Sequence, residues 1–268
     1  MKLIRITHEN LETEHICCAI ASNKDCQVLS KKAWLKESLG EGLVFLKCNV
    51  RGKCFIEYIP AEYAWTPIEA DGYIYINCLW VSGQFKGHGY SNLLLEECIK
   101  DSKEKGKKGL VILSSQKKMG FLSDPKFMRY KGFETVDTAA PYFELLYLPF
   151  DKGVEKPRFK AFVKDPRHSD MPEGFTIYYT NQCPFTAKYV PILEELAKKA
   201  IEESNGKTFY GVGNSSRGKS ALPLFIEYLQ SIDSSYTLNF EWQQPKNNKI
   251  FEQLTADSLK ETGTFAMT

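Results

Sequence analysis

Between Trp80 and Ile99 the chain reads WVSGQFKGHGYSNLLLEECI, an apolar run that breaks into a loop with three glycines and passes at once into a leucine-rich segment. Gly83, Gly87 and Gly89 thus lie between a strand-like stretch and the start of a helix. A helix start leaves several backbone N–H groups without partners and carries a partial positive charge, which is the chemistry of anion binding. Glycines let the backbone approach an anion with no Cβ in the way, and Lys86 adds a charge at the edge. Taken alone, such glycines serve a ligand-free strand-to-helix turn equally well.

Other residues invite chemical readings. In YYTNQCPFTAKYV, Cys183 precedes Pro184 at a predicted helix start, where the helix dipole favours thiolate. The string GNSSRGKS at 213–220 satisfies the phosphate-loop pattern of nucleotide triphosphatases. That fold needs several parallel strands and an acidic magnesium ligand after the loop, whereas 48 residues follow Ser220 and Pro223 would fall in the first turn of the required helix. Glu57 and Glu62 flank a predicted hairpin and are candidates for a general base acting through water, set against the ordinary role of solvated carboxylates. Cys78 on the strand before the glycine loop reads more readily as core filler than as an acid. No metal site is expected: His8, His15, His88 and His168 form no ligand-like cluster with cysteine. The eight cysteines show no CxxC pair and no disulfide framework.

The elements that must position these residues follow from periodicity. Glycines close the predicted helical piece SKKAWLKESLGEG, and EHICCAI reads as another short helix. Two β-like runs flank Arg51-Gly52 as a hairpin, and DGYIYINCLWVSG is a third strand. Residues 90–105 are predicted helical, with Leu94 and Cys98, and Leu95 and Ile99, four apart on one face. A buried strand GLVILSS, a short helix DPKFMRYKG and a strand YFELLYLPF complete a first domain over residues 1–150. Residues 151–174, with Pro157, Pro166 and Pro172, have linker composition. A second domain over 175–268 is expected to open with strand FTIYYT and a helix, then strand KTFYGVG, the ambiguous ALPLFIEYLQ, strand YTLNFEW and a final helix around NKIFEQLTADSLKE.

Composition bounds the function. With 43% hydrophobic residues, 268 residues suffice for two modest cores, and a net charge of +2 from scattered basic residues predicts no nucleic-acid partner. No run approaches the ~18 apolar residues of a membrane span, and MKLIRITHEN lacks a signal-peptide core, so a cytoplasmic protein with no membrane partner is expected. Oligomeric state is not readable.

Residues 84–89, Gln84-Phe85-Lys86-Gly87-His88-Gly89, fit Gln/Arg-x-x-Gly-x-Gly/Ala, and the whole stretch resembles the GNAT acetyltransferases, as does FMRYKGF with their Tyr-x-x-x-Gly-Phe ending. The resemblance implies an α/β fold for 1–150, a mixed, mostly antiparallel sheet flanked by helices, with acetyl-CoA (CoA) as cosubstrate. It implies that Leu79, Trp80 and Val81 meet the acetyl group and pantetheine through backbone groups. Gln84, Phe85, Lys86, Gly87, His88, Gly89, Tyr90 and Ser91 would form the pyrophosphate loop. The acceptor would be a primary amine of a small molecule or protein. The tyrosine that protonates the leaving thiolate in many members is Met128 here, leaving Tyr130, two residues on, as the candidate acid. The Cys183 corner resembles thioredoxin and glutaredoxin proteins, with Thr186 in place of the second cysteine and Leu222-Pro223 as the facing turn. Together the halves look like GNAT proteins with a YoaP-like, thioredoxin-like C-terminal α/β domain. The expected activity is acetyl transfer; the alternative is a CoA-binding sensor or thiol-handling module with Cys183 as the reactive group.

Overall fold

A computed structural model describes residues 1–16, 22–119, 122–164, 175–188, 190–191, 209–213 and 264–266. The chain divides into two compact units, Met1–Val28 with Lys32–Pro166, and Leu29–Lys31 with Arg167–Thr268. In the first unit, the elements are β1 (Leu3–Arg5), α1 (Cys26–Gly40), β2 (Val44–Cys48), β3 (Cys54–Pro60), β4 (Ile68–Glu69), β5 (Tyr73–Val81), α2 (Tyr90–Glu104), β6 (Gly109–Ser115), α3 (Pro125–Tyr130), β7 (Glu134–Ala139), β8 (Phe143–Pro149), β9 (Arg158–Phe159) and α4 (Ala161–Lys164).

Seven strands form one sheet in the order β1-β2-β3-β5-β6-β8-β7. Every neighbouring pair is antiparallel except β5 and β6. The expected mixed, mostly antiparallel sheet flanked by helices is therefore present. Both faces are covered, which is why β2 and β3 read as nearly continuous apolar runs. One face carries Phe45, Phe55, Ile59, Tyr73, Tyr75 and Val111. The other packs Leu46, Ile56, Ile74 and Ile112 against Leu94, Leu95 and Cys98 of α2 and Met128 of α3. Asp101 of α2 ties that helix to the sheet, accepting hydrogen bonds from the Tyr58 hydroxyl (2.9 Å) and the Arg5 guanidinium (2.8 Å).

The short α3 is bounded by its sequence. Asp124 caps it by accepting from the Lys126 and Phe127 N–H groups, and Pro125 fills the first position, where no N–H is needed. Gly132 at φ +88° ends it, with Phe133 N–H donating back to the Met128 carbonyl (3.1 Å).

Three features differ from the sequence expectation. β1, with only three residues, and β7, a largely polar edge strand ETVDTA, carry too little apolar alternation to be read as strands. Within the stretch read as linker, β9 pairs with β4, and Phe159, 4% exposed, joins the first core. Of the helix expected over EHICCAI, residues 14–16 form no helix and the remainder lies outside the described residues.

In the second unit, β10 (Phe175–Tyr179), β11 (Phe209–Gly213) and β12 (Thr264–Ala266) form a parallel sheet in that order. The first two are the expected strands FTIYYT and KTFYGVG. The 213–220 motif beyond Gly213, the Leu222-Pro223 turn, ALPLFIEYLQ, YTLNFEW, the final helix and so most of the thioredoxin-like arrangement lie outside the described residues.

Candidate active site

The register of β5 builds the site. Tyr73, Ile74 and Tyr75 pair with Gly109, Leu110 and Val111 of β6, and there the parallel pairing stops. Beyond it β5 stays with β3 as far as Val81, and β6 stays with β8 through Ser115. The two parallel strands splay, and facing edges of Ile76–Val81 and Ile112–Ser115 have no partner in the sheet. Exposure follows the split: residues 73–76 are buried and residues 77–81 are half-buried.

A bulge sits where the split begins. Glu57 pairs with Cys78 and Tyr58 with Ile76, so Asn77 is the extra residue of β5. An inserted residue reverses which face each later side chain meets. Ile74 and Ile76 face α2 before the bulge; Leu79 and Val81 face it afterwards, while Cys78 and Trp80 pack on the opposite face. Glu57 lies between Phe55 and Ile59 on that same opposite face, 1% exposed, and accepts a hydrogen bond from Asn77 Nδ2 (3.0 Å). The reading of Glu57 as a solvated carboxylate is thus corrected by its burial. Nothing in the letters INC announces a bulge, and this arrangement was not legible in the sequence.

The glycine loop follows directly. Ser82 is extended, Gly83–Phe85 makes one 3-10 turn, and Gly83, Gly87 and Gly89 all have φ between +63° and +81°. L side chains adopt that region only with strain, which accounts for glycine at these points. Gly89 is the N-cap of α2 and the first helical bond runs from Leu93 N–H to Gly89 O (3.1 Å). The N–H groups of Tyr90, Ser91 and Asn92 therefore point out of the helix start. They border a cleft of about 370 Å³ lined also by Val81, Phe85, Lys86, Gly87, Gly89 and Phe127. Of the predicted cofactor-binding residues, Val81 from the strand end and Phe85, Lys86, Gly87, Gly89, Tyr90 and Ser91 from the loop come together around this cleft. Gln84 and His88 are exposed loop residues, the His88 ring stacked 5.7 Å from Tyr90, and Leu79 and Trp80 occupy the open strand end.

The candidate acid lies elsewhere. Tyr130 is 80% exposed with Lys131 Nζ 5.6 Å from its ring, so its hydroxyl stands in solvent at the C-terminal end of α3. Met128 is 2% exposed in the core beneath α2. Tyr75 stands at the fork of the splay; burial pushes its hydroxyl up to about 12, against the lowering effect of hydrogen bonds with Thr66 and the Leu113 backbone, so it stays protonated near neutral pH.

A second cleft of about 370 Å³ opens at the other end of β5, among Glu62, Glu69, Asp71 and Arg158. Three of its charges are engaged locally: Glu62 accepts from the Gly72 N–H (2.7 Å) and Arg158 pairs with Glu69 (2.5 Å). Glu62 therefore sits away from the glycine loop, with no place beside the splay. In the second unit Cys183 is buried, and its carbonyl accepts from the Thr186 N–H (3.0 Å) in a single turn. Among the described residues no cluster of metal-ligating side chains occurs, and no helix is long and apolar enough to cross a membrane.

No protein-family model matches the chain. Among curated proteins it is similar to the uncharacterized N-acetyltransferase YoaP of Bacillus subtilis (strain 168), 44% identical over 200 residues, which is 74% of this chain and 79% of that protein. Among solved structures, the PaiA N-acetyltransferase of Thermoplasma acidophilum in complex with coenzyme A aligns at 17% identity over 56% of this chain and 100% of that one, TM-score 0.40. A ribosomal-protein-alanine N-acetyltransferase of Brucella melitensis aligns at 17% over 55% and 97%, TM-score 0.38. The assignment rests on the YoaP relative, whose match is longer than the first 150 residues and so reaches into the second half of the chain. With a splayed parallel pair, a glycine loop at a helix start and a 44% identical N-acetyltransferase, the chain belongs to the GNAT family of acetyl-CoA-dependent N-acetyltransferases.

Proposed function

We propose that the chain moves the acetyl group of acetyl-CoA to a primary amine of a small molecule or a protein, with the gap between β5 and β6 as the passage between a donor face and an acceptor face. The observation that carries this reading is the register break after Tyr75 combined with the bulge at Asn77, which turns Val81 toward the α2 cleft and Cys78 and Trp80 toward the opposite face.

On the donor face the N–H groups of Tyr90, Ser91 and Asn92, with the backbone of Lys86 to Gly89, hold the pyrophosphate, and Phe85 and Phe127 cover the apolar arm. The edge of Leu79 to Val81, beyond the end of the β6 ladder, offers backbone groups to pantetheine and an N–H to the thioester oxygen, where negative charge develops as the amine attacks. On the acceptor face Glu57 takes the ammonium proton through a water, its carboxylate oriented by Asn77. Tyr130 has no share in this mechanism, and the leaving thiolate takes its proton from water at the cleft mouth. Cys183 has none either, so Cys183→Ser leaves acetyl-CoA affinity unchanged.

The test mixes the protein with acetyl-CoA and a panel of amines and follows release of CoA thiol. Release that depends on one class of amine is the expected result. Tight acetyl-CoA binding with no thiol release from any amine would overturn the reading.

A further inference from the structure

Cys48 and Cys54 flank the turn of the β2–β3 hairpin, the last residue of β2 and the first of β3. The register that pairs Val44 with Tyr58 and Lys47 with Phe55 sets Cys48 directly opposite Cys54. Both side chains lie on the face toward α2, both are 0% exposed, and their sulfurs are 2.7 Å apart. Residues directly opposite in an antiparallel pair have Cα atoms about 4.5 to 5.5 Å apart, inside the range a disulfide spans. The loop closed would hold five residues, too short for much stabilisation through chain entropy, so such a bond is no staple.

We propose that Cys48 and Cys54 form a reversible disulfide, driven by a peroxide, and that the bond weakens acetyl-CoA binding. One sulfur, as thiolate, attacks a peroxide oxygen; the O–O bond breaks, water leaves after protonation, and a sulfenic acid remains. The second sulfur attacks the first, the S–O bond breaks, an S–S bond forms and a second water leaves. Two thiols and one hydrogen peroxide thus give one disulfide and two waters. Two equivalents of a low-molecular-weight thiol reverse the step and are themselves joined as a disulfide. Hydrogen peroxide, small and uncharged, reaches the pair by local opening of the tip, whose residues 49–53 are exposed or half-buried.

The coupling runs through the same tip. A Cβ on Gly52 would come within 2.5 Å of the Phe85 ring, so Phe85 rests directly on the bare backbone there. The Lys53 carbonyl accepts from the Ser82 N–H (2.9 Å), and Lys53 Nζ lies 4.4 Å from the centre of the Trp80 ring. Tightening the turn moves the support of Phe85, which lines the donor cleft, and of Ser82 at the start of its loop. This half of the proposal rests on the cleft's being the acetyl-CoA site; the disulfide itself does not.

The experiment treats the full chain with hydrogen peroxide, alkylates it in denaturant and maps the peptides without reduction. Cys48 and Cys54 should lose alkylation together, appear as one cross-linked pair lighter by two hydrogens, and return with dithiothreitol. Cys48 and Cys54 still alkylated, or oxidised without a cross-link, would overturn the proposal. Acetyl-CoA affinity is then measured on reduced and oxidised protein: oxidation should weaken it roughly fivefold, and Cys54→Ala should abolish the change. A cross-link with equal affinities overturns the coupling, whereas reduced protein that binds no acetyl-CoA overturns the donor-cleft reading and leaves the disulfide standing.

Discussion

The two halves of β5 are one strand under two sets of constraints. Tyr73 to Ile76 are buried, with Ile74 and Tyr75 paired on both edges and closed in by both cores. Residues 77–81 keep one partner, stand half-buried, and face an open gap and a glycine loop. The first half lies between strands that pair with it on both sides; along the second the β6 ladder has ended and β3 alone pairs with it. A sheet makes a site here by interrupting its own pairing, with the bulge at Asn77 deciding which face each side chain serves.

If that division holds, damage to the two halves separates into stability and activity. The largest effect is expected from Ile74→Ala in the closed half: about 3 kcal/mol of stability lost, from transfer and cavity terms, read by urea denaturation. The folded fraction should bind acetyl-CoA within twofold of the parent, and a large affinity loss at unchanged stability would reverse the assignment. Next is Glu57→Gln beside the open half, where turnover should fall about a hundredfold, equivalent to about 2.7 kcal/mol, with acetyl-CoA affinity kept. Turnover within threefold of the parent would remove Glu57 from the chemistry.

Gly89→Ala probes the loop itself. At φ +75° a Cβ costs roughly 1 kcal/mol in the backbone alone, since nothing lies within 4 Å of it. The donor should in addition bind roughly tenfold more weakly, about 1.4 kcal/mol, because the space is then contested. Gly106→Ala, at φ +65° with equally open surroundings at the far end of α2, should share the stability cost and leave affinity alone. Equal affinity losses in both would show that strain, not contact, weakens binding.

What the sequence made legible follows the same division. Alternation in DGYIYINCLWVSG and the 3.6-residue period of 90–105 announced β5 and α2, because both bury a regular apolar pattern. The glycines announced their loop, because positive φ demands them. Pairing left no trace: the bulge at Asn77, the early end of the β5–β6 ladder and the burial of Glu57 depend on register between strands distant in sequence. Polar edge strand β7 and three-residue β1 were silent for want of a pattern. At Glu57 a carboxylate that looks solvated in sequence proves enclosed, whereas Tyr130, set two residues around the helix from the Met128 position, faces solvent.

Asp101→Asn tests how the closed half is anchored. Burial raises the Asp101 carboxyl, but hydrogen bonds from Lys105, Arg5 and Tyr58 outweigh it and hold it below the ordinary carboxylate range. A depressed folded value contributes stability that is complete above the unfolded value of about 3.9 and fades as pH falls through the folded one. The substitution should therefore cost about 1 kcal/mol at neutral pH, kept small by the solvent exposure of Arg5 and Lys105, and progressively less in acid. An equal cost at both pH values would show that shape, not charge, supplies the anchor.

The smallest effect is expected at Tyr130. Removing its hydroxyl by Tyr130→Phe should leave turnover and acetyl-CoA affinity within about twofold, since an exposed side chain with water on its polar end changes little on such a substitution. The contrast with Met128 sharpens this. Met128 occupies the position where the GNAT pattern carries its tyrosine, yet it is buried in the same core as Ile112 and Leu146, and its thioether carries no proton to give a thiolate. If Tyr130→Phe instead slows turnover tenfold or more with acetyl-CoA affinity kept, the hydroxyl is a proton donor after all. The end of α3 must then turn inward when the donor binds, and the open half of β5 would not be the whole of the site.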